Sequence, residues 1–143
     1  MRELRRLAAN KEANKMIPTH KTINSAGADI VCAETVTIKP NWPTLVRTGA
    51  YTPEPWRTSD MVYLLCIRSS IALNKSLMLA NGVGVIDCDY PDEIKVMMVH
   101  FESEPVTIEA GERIAQLVPM CYQQGVFPTE SIERKGGFGS TNE

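Results

Sequence analysis

The chain has 143 residues, of which 43% are hydrophobic and 22% are charged, so it can fold as one domain around a sizeable core. Its formal net charge of −2 argues against stable binding to nucleic acid, which depends on neutralising phosphates. The longest apolar run, Met61 to Ile67, is too short to span a bilayer, and the N-terminus shows no secretory pattern. We therefore expect a cytoplasmic protein that binds neither nucleic acid nor a membrane stably.

The chain divides into three predicted parts. Residues 1–17 form a basic arm or a short first element, residues 18–128 form a β domain, and residues 129–143 form a flexible, Gly-rich arm. Within the domain, short runs of β-branched residues alternate with Pro and Gly clusters, which is typical of a sandwich or barrel. The predicted strands are Val36–Ile38, Thr44–Val46, Met61–Ile67, Ile94–Phe101, Val106–Ile108 and Ile114–Met120, and the best place for a short helix is Asn74–Leu79.

Four cysteines fit a reducing compartment. No two of them form a C-x-x-C pair, and the chain has only two histidines, so a zinc site is not indicated. Each cysteine lies in a strand-like stretch, which predicts buried free thiols. They are Cys32, Cys66, Cys88 and Cys121.

Two short segments in the first half of the chain carry polar residues suited to phosphate or metal chemistry. In the segment Ser25–Ile30, Asp29 could face a hydrated Mg²⁺ ion or only cap the end of a strand. The segment Arg68-Ser69-Ser70 directly follows the most apolar strand. A guanidinium fork beside a hydroxyl suits phosphate, although a surface arginine next to two turn serines has the same sequence pattern.

A third segment runs from Asn81 to Tyr90. Asn81 and the glycines that follow it predict a tight turn or β-hairpin, after which an apolar run leads to Asp87. A carboxylate and an aromatic ring beside such a turn can hold a water and the face of a sugar. The ordinary alternative is a hairpin with an acidic turn residue.

Two further segments complete the set. Gly111 opens a predicted strand in which Gln116 interrupts the apolar run, with an amide that could hold water or a phosphate oxygen. A lone glutamine on the solvent face of a strand would carry no such meaning. The tail from Glu133 to Thr141 contains three glycines around Phe138, and it either stays disordered or wraps a phosphorylated ligand.

In this order, the five segments resemble the five motifs of the trimeric dUTPase family, from about Pro18 to the C-terminus. The resemblance implies an all-β, distorted jelly-roll or β-sandwich subunit (a dUTPase-like β-clip) that assembles as a homotrimer with active sites shared between subunits. The implied reaction is Mg²⁺-dependent hydrolysis of dUTP to dUMP and pyrophosphate, by water attack on the α-phosphate. In the cytoplasm of a bacterium or a phage-infected host, this would limit uracil in DNA and supply dUMP for dTTP synthesis.

The resemblance also implies roles for individual residues. Asp87 would be the general base for the attacking water, and Gln116 would hold that water and the α-phosphate. Asp29 would contact waters of Mg²⁺, while Arg68 and Ser69 would bind the phosphates. The other implied substrate-binding residues are Ser70, Asn81, Gly84, Val85, Ile86, Tyr90, Arg134, Phe138, Gly139, Ser140 and Thr141.

Selectivity follows from the same resemblance. The ring of Tyr90 would leave no room for a 2′-hydroxyl, and Asn81 with nearby backbone groups would pair with the polar edge of uracil. Phe138 would close over the base, with Arg134 and the Ser140–Thr141 hydroxyls on the γ-phosphate.

The chain departs from the family pattern in two places. Only Lys135 separates Arg134 from the Gly-Gly-Phe run, which makes the arm one residue short, and Pro91-Asp92-Glu93 replaces the usual Arg-Gly-Glu. Two alternatives remain on the same fold: a nucleotide-dependent regulatory module that binds another protein, and a dCTP deaminase. Deamination is disfavoured because the strand Ile94–Val99 carries no carboxylate. A structural β-sandwich with a coincidental tail is the third reading.

Overall fold

The computed structural model describes residues 15–53 and 60–130. The predicted N-terminal arm up to residue 14 and the tail residues Arg134, Phe138, Gly139, Ser140 and Thr141 lie outside this part. The described elements, in chain order, are β1 Thr19–His20, β2 Ala28–Val31, β3 Val36–Ile38, β4 Thr44–Ala50, β5 Met61–Ile67, α1 Ser69–Lys75, β6 Leu77–Leu79, β7 Gly84–Asp87, β8 Ile94–His100, β9 Val106–Ile108 and β10 Arg113–Cys121.

The strands form three antiparallel sheets. The largest has the order β1-β2-β10-β5-β7, a second has the order β4-β8-β6, and the third pairs β3 with β9. The predicted all-β, sandwich-like class is confirmed, while the homotrimer and the domain boundaries stay predictions.

One hydrophobic cluster joins the three sheets. In β8 the burial alternates strictly, with Ile94, Val96 and Met98 inside. The same period of two places Tyr63 and Leu65 of β5 in the core, as expected for strands with one buried face. The other face of β5 carries Val62, Leu64 and Cys66, which are half-buried.

The predicted helix at Asn74–Leu79 is wrong by five residues. The helix begins at Ser69, directly after the Arg68 cap position, and buries Ile71 against the core. It ends at Ser76, whose φ of 53° is left-handed and stops helical hydrogen bonding. Beyond it, Leu77 and Leu79 are buried in strand β6.

The Asn81 segment forms a turn but not a hairpin, which corrects the sequence prediction. Strand β6 before it pairs with β8, whereas β7 after it pairs with β5, so the turn connects two sheets. Gly82 has φ of 74°, and Val83 donates its N–H to the Asn81 carbonyl at 2.9 Å. The tight turn follows from local sequence, but the partners of its strands depend on the whole sheet.

The expectation of four buried thiols in strands is only partly met. All four cysteines are free. Cys32 and Cys88 are buried but lie just outside strands, Cys66 is half-buried in β5, and Cys121 is exposed at the end of β10. Within the described residues, no helix is long and apolar enough to cross a membrane.

Candidate functional site

A row of polar side chains crosses the middle of the five-stranded sheet. Gln116 in β10 lies opposite Asp29 of β2 on one side and opposite Cys66 of β5 on the other. Directly opposed residues in antiparallel strands point to the same face, so Asp29 and Gln116 share the outer face of the sheet. The predicted glutamine and aspartate, 87 residues apart in sequence, are therefore neighbours.

Gly27 allows Gln116 to lie flat across the entrance to β2. A Cβ atom at Gly27 would stand 2.3 Å from Gln116 Oε1, which real side chains do not show, and 3.0 Å from its Cβ, which is tighter than most contacts. His20 fixes this backbone from the other side, because its Nδ1 lies 3.0 Å from the Gly27 carbonyl oxygen. The glycine thus has a structural reason within the site.

Two arginines hold the carboxylate of Asp29. Arg68 Nε lies 3.4 Å from Oδ1, and Arg113 NH1 lies 3.6 Å from Oδ2. The side chain of Asp29 is only 11% exposed, and its Oδ2 has no hydrogen-bond partner among the described residues. The carboxylate of Asp29 therefore links Arg68 of the β5 end to Arg113 of β10.

An open cavity of about 290 Å³ lies over these residues. Arg68 enters it from the end of β5, and Ser69 enters from the first position of α1. Ser70, the third residue of that predicted segment, faces the other side of Arg68. The residues around the cavity are Lys21, Ser25, Ala26, Gly27, Asp29, Arg68, Ser69 and Gln116.

Asp87 lies elsewhere on the same sheet. It pairs with Val62 of β5, whereas Gln116 pairs with Cys66, four residues further along that strand. The two residues flank β5 on opposite sides, so strand geometry places them about 16 Å apart within one chain. The predicted general base and the phosphate-binding residues are therefore not brought together by a single chain.

The residues around Asp87 have different exposures. Val85 is 66% exposed on the outer face, and Asn81 is exposed in its turn. Gly84 is buried beside Leu65 of β5. A Cβ at this position would lie only 2.9 Å from Leu65 Cβ, so the absence of a side chain lets β7 pack closely against β5.

Tyr90 and Ile86 lie deeper than the other residues of this segment. Tyr90 is only 6% exposed and packs in the core, and its carbonyl accepts a hydrogen bond from Thr52 Oγ1 at 3.0 Å. Ile86 is half-buried against the same cluster. A ligand could therefore reach only a small part of the Tyr90 side chain.

The sequence reasoning missed Arg113, Gly27 and Lys21 as site residues. Arg113 belongs to the predicted Gly111–Leu117 segment, but its link to Asp29 depends on the pairing of β2 with β10. The only indication in the sequence was its position three residues before Gln116. Lys21 follows β1, and nothing in the sequence indicated that it lies at the site.

A metal ion at this site would be coordinated mainly by water or by substrate oxygens. Among residues 15–53 and 60–130, no cluster of three or more His, Cys, Asp or Glu side chains could hold a metal. Asp29 lines the cavity, and a carboxylate there fits contact with the waters of a hydrated ion, which is the usual mode for Mg²⁺.

Comparison with known proteins decides the family. The family model for dUTPase matches residues 13–142. The chain belongs to the dUTPase family. The deoxyuridine 5′-triphosphate nucleotidohydrolase of Lactococcus lactis is 40% identical over 139 residues, which cover 92% of this chain and 91% of that protein.

Solved structures agree with this assignment to the dUTPase family. The crystal structure of dUTPase from Streptococcus mutans has a TM-score of 0.67 and 36% identity, and the match covers 75% of this chain and 86% of that chain. A mutant dUTPase from Staphylococcus aureus phage phi11, which coordinates a structural Mg(II) ion, shares the fold with a TM-score of 0.66 at 21% identity, over 85% of this chain and 94% of that chain.

Proposed function

We propose that this dUTPase-family protein hydrolyses dUTP to dUMP and pyrophosphate by attack of water on the α-phosphate. The observation that carries the proposal is the cavity in which Arg68, Ser69, Gln116 and Asp29 converge. Phosphate chemistry depends mainly on positioning and on stabilising charge. Arg68 supplies a cationic donor, and Ser69 and Gln116 supply neutral donors. In the cytoplasm, the reaction would limit uracil in DNA and supply dUMP.

The phosphate chain lies in this cavity in the proposed complex. Gln116 holds the α-phosphate and the attacking water, since its amide both donates and accepts hydrogen bonds. Arg68 and Ser69 bind the phosphates beyond the scissile bond, with Ser70 at the edge. Bound Mg²⁺ would neutralise the triphosphate, and the Asp29 carboxylate, which lines the cavity, would hold its waters.

The base and the sugar are recognised by the Asn81–Tyr90 segment. Asp87 removes the proton from the attacking water, and Asn81 with the backbone at Gly84 and Ile86 meets the uracil edge. Val85 is the exposed residue of this strand and covers the nucleoside. Tyr90 closes the sugar pocket against a 2′-hydroxyl.

The tail completes the proposed site. Phe138 covers the uracil, while Arg134 and the residues Gly139, Ser140 and Thr141 hold the γ-phosphate. Closure of this arm excludes water and strengthens the electrostatic contacts around the phosphates.

We further propose that the complete site forms between chains of a homotrimer. The separation of about 16 Å that strand geometry places between Asp87 and Gln116 is too long for a base to act on a water held by the amide. Between them the outer face of the sheet is apolar, with Leu64 and Val118 half-buried and Val85 exposed. Apolar side chains on an outer sheet face favour burial against another copy.

The test is pyrophosphate release from dUTP in the presence of Mg²⁺, with dCTP, dTTP and UTP assayed separately as control substrates. We expect release from dUTP alone, and Asp87→Asn lowers kcat about 10²–10⁴-fold because the general base is lost. The matched control is Asp92→Asn, which changes an exposed loop aspartate and should keep the activity.

Two results would contradict the proposal. Equal activity of Asp87→Asn and the unchanged chain would exclude Asp87 as the base. Absence of release from every nucleotide by folded trimer would favour the regulatory, protein-binding alternative, while ammonia from dCTP would indicate deamination.

A further inference from the structure

A second cavity of about 340 Å³ opens on the other side of Arg68 from the proposed nucleotide site. It lies between helix α1 and the start of strand β10, and Arg68 is the only described residue that lines both cavities. Besides Ile71, its lining consists of polar or charged side chains: Arg68, Ser70, Asn74, Lys75, Glu112 and Arg113.

The charge of this second cavity is positive. Three cationic side chains face one carboxylate, and that carboxylate is engaged: Glu112 Oε1 lies 3.3 Å from Lys75 Nζ. Lys75 also donates to the Thr107 carbonyl at 3.0 Å, so it forms a fixed wall. The two arginines therefore provide charge that Glu112 does not offset.

Arg68 and Arg113 are held close together despite their like charges. Asp29 contacts both, and Arg68 NH1 donates to the backbone carbonyl of Arg113 at 3.3 Å. One carboxylate between two guanidinium groups leaves a net positive charge. The side chain of Arg113 is 51% exposed, lines the second cavity and uses one nitrogen on Asp29, so other N–H donors of its guanidinium stay available.

We propose that this second cavity is an anion site for inorganic pyrophosphate, with Arg113 as its main ligand and Asn74 and Ser70 as neutral donors. The assignment to pyrophosphate rests on the proposed function, because dUTP hydrolysis releases that anion beside Arg68. Arg68 forms a wall of both cavities, so pyrophosphate can pass from one to the other without losing this guanidinium. A planar fork matches phosphate oxygens better than a point charge.

The experiment is calorimetric titration of the full chain with inorganic pyrophosphate, without nucleotide and at constant ionic strength. We expect Arg113→Gln to weaken binding about 10-fold or more, since a charge-assisted contact is lost. Arg113→Lys should recover only part of the affinity, and Asn74→Leu, an exposed helix position, should weaken binding severalfold.

Two matched variants locate the binding. Arg47→Gln removes a 54% exposed arginine of β4, in another sheet, that pairs with Glu34 and Glu93, so it should leave the affinity unchanged. Gln116→Leu alters only the nucleotide cavity and should also leave it unchanged. Asn74→Leu keeps the Arg113–Asp29 pair, so it remains informative if Arg113→Gln does not fold.

The outcomes separate this inference from the proposed function. Absence of pyrophosphate binding would overturn the second site. So would weaker binding by Gln116→Leu together with unchanged binding by Asn74→Leu and Arg113→Gln. Arg113-dependent binding by a chain that does not hydrolyse dUTP would support an anion site and overturn the proposed reaction instead.

Discussion

At the scale of single residues, Gly27 shows how a site side chain is positioned by a neighbour that has none. Gly27→Ala would place a Cβ 2.3 Å from Gln116 Oε1 and 3.0 Å from its Cβ, so the amide must rotate away and the base of the side chain must shift as well. We expect kcat for dUTP hydrolysis to fall at least about 10-fold, because small displacements of a positioning group are costly. Steady-state kinetics measure the effect.

The control for Gly27 is Ala26→Gly, which changes the adjacent residue without adding an atom. A chain with Gly27→Ala that keeps full activity would show that β2 shifts away from β10 without cost. Thermal unfolding of both variants distinguishes displaced Gln116 from loss of the fold.

Two buried groups predict how stability depends on pH. Burial raises the pKa of the Cys32 thiol above its ordinary value of 9.0, and burial likewise raises the pKa of the Tyr63 phenol above 10.0. For both groups the folded chain holds the proton longer than the unfolded chain does. Their contribution is therefore full below about pH 9, and it is lost as the pH rises through the folded values.

The measurement for this pH dependence is the melting temperature from pH 7.5 to 11. We expect Tyr63→Phe to flatten the decline above about pH 10, and Cys32→Ala to flatten the part that begins near pH 9. The exposed Cys121→Ala is the control and should leave the curve unchanged. An identical slope in all four chains would refute the assignment to buried groups.

At the scale of elements, the sequence predicted what depends on local pattern. The continuous apolar run Met61–Ile67 and the run Val106–Ile108 gave strands with the observed bounds, because both carry β-branched residues in short runs bounded by Pro and Gly clusters. The helix was misplaced because Ser69 and Ser70 read as a turn, whereas Ile71 needs a helix to reach the core.

The partners of the strands could not be predicted in the same way. The Asn81 turn gives no sign that β6 and β7 belong to different sheets, and the contact of Arg113 with Asp29 exists only through the register of β10. The motif residues Asp29, Arg68 and Gln116 were found by resemblance, and their convergence is a property of the sheet.

Strand β4 has a bulge-like irregularity in its pairing with β8, between Arg47 and Ala50, and Glu93 contacts the backbone there. Glu93 is the one residue of the Pro91-Asp92-Glu93 triplet that matches the usual Arg-Gly-Glu. Its Oε1 accepts the N–H of Gly49 at 2.8 Å, and its Oε2 accepts from Arg47 Nε at 3.2 Å. Gly49 has φ of 69° at the point where the register between β4 and β8 shifts. We expect Glu93→Ala to lower the free energy of unfolding by about 1–3 kcal/mol, because the half-buried Gly49 N–H loses its acceptor.

Urea unfolding at neutral pH measures this loss at the bulge. Glu93→Gln keeps an oxygen for Gly49 and should recover most of the stability, while Arg47→Gln, at an exposed position, should cost much less than Glu93→Ala. Equal losses for Glu93→Ala and Arg47→Gln would show that the ion pair, rather than the backbone contact, supports the bulge.

At the scale of the whole molecule, Asp87 and Gln116 of one chain flank β5 at positions four residues apart along it. If each active site takes Asp87 from one chain and Gln116 from another, two inactive variants can complement each other. In trimers assembled from equal amounts of Asp87→Asn and Gln116→Leu, about one quarter of the sites would combine an intact aspartate with an intact glutamine. Such sites are absent from either variant alone.

The measurement is dUTP hydrolysis after the two variants are unfolded together and refolded. We expect activity of roughly one quarter of the unchanged trimer, set by the random combination of chains. Mixing without unfolding is the control and should give little activity, because chains in a stable trimer do not exchange. A site contained in one chain would give no recovery, since every chain in the mixture would lack one of the two groups.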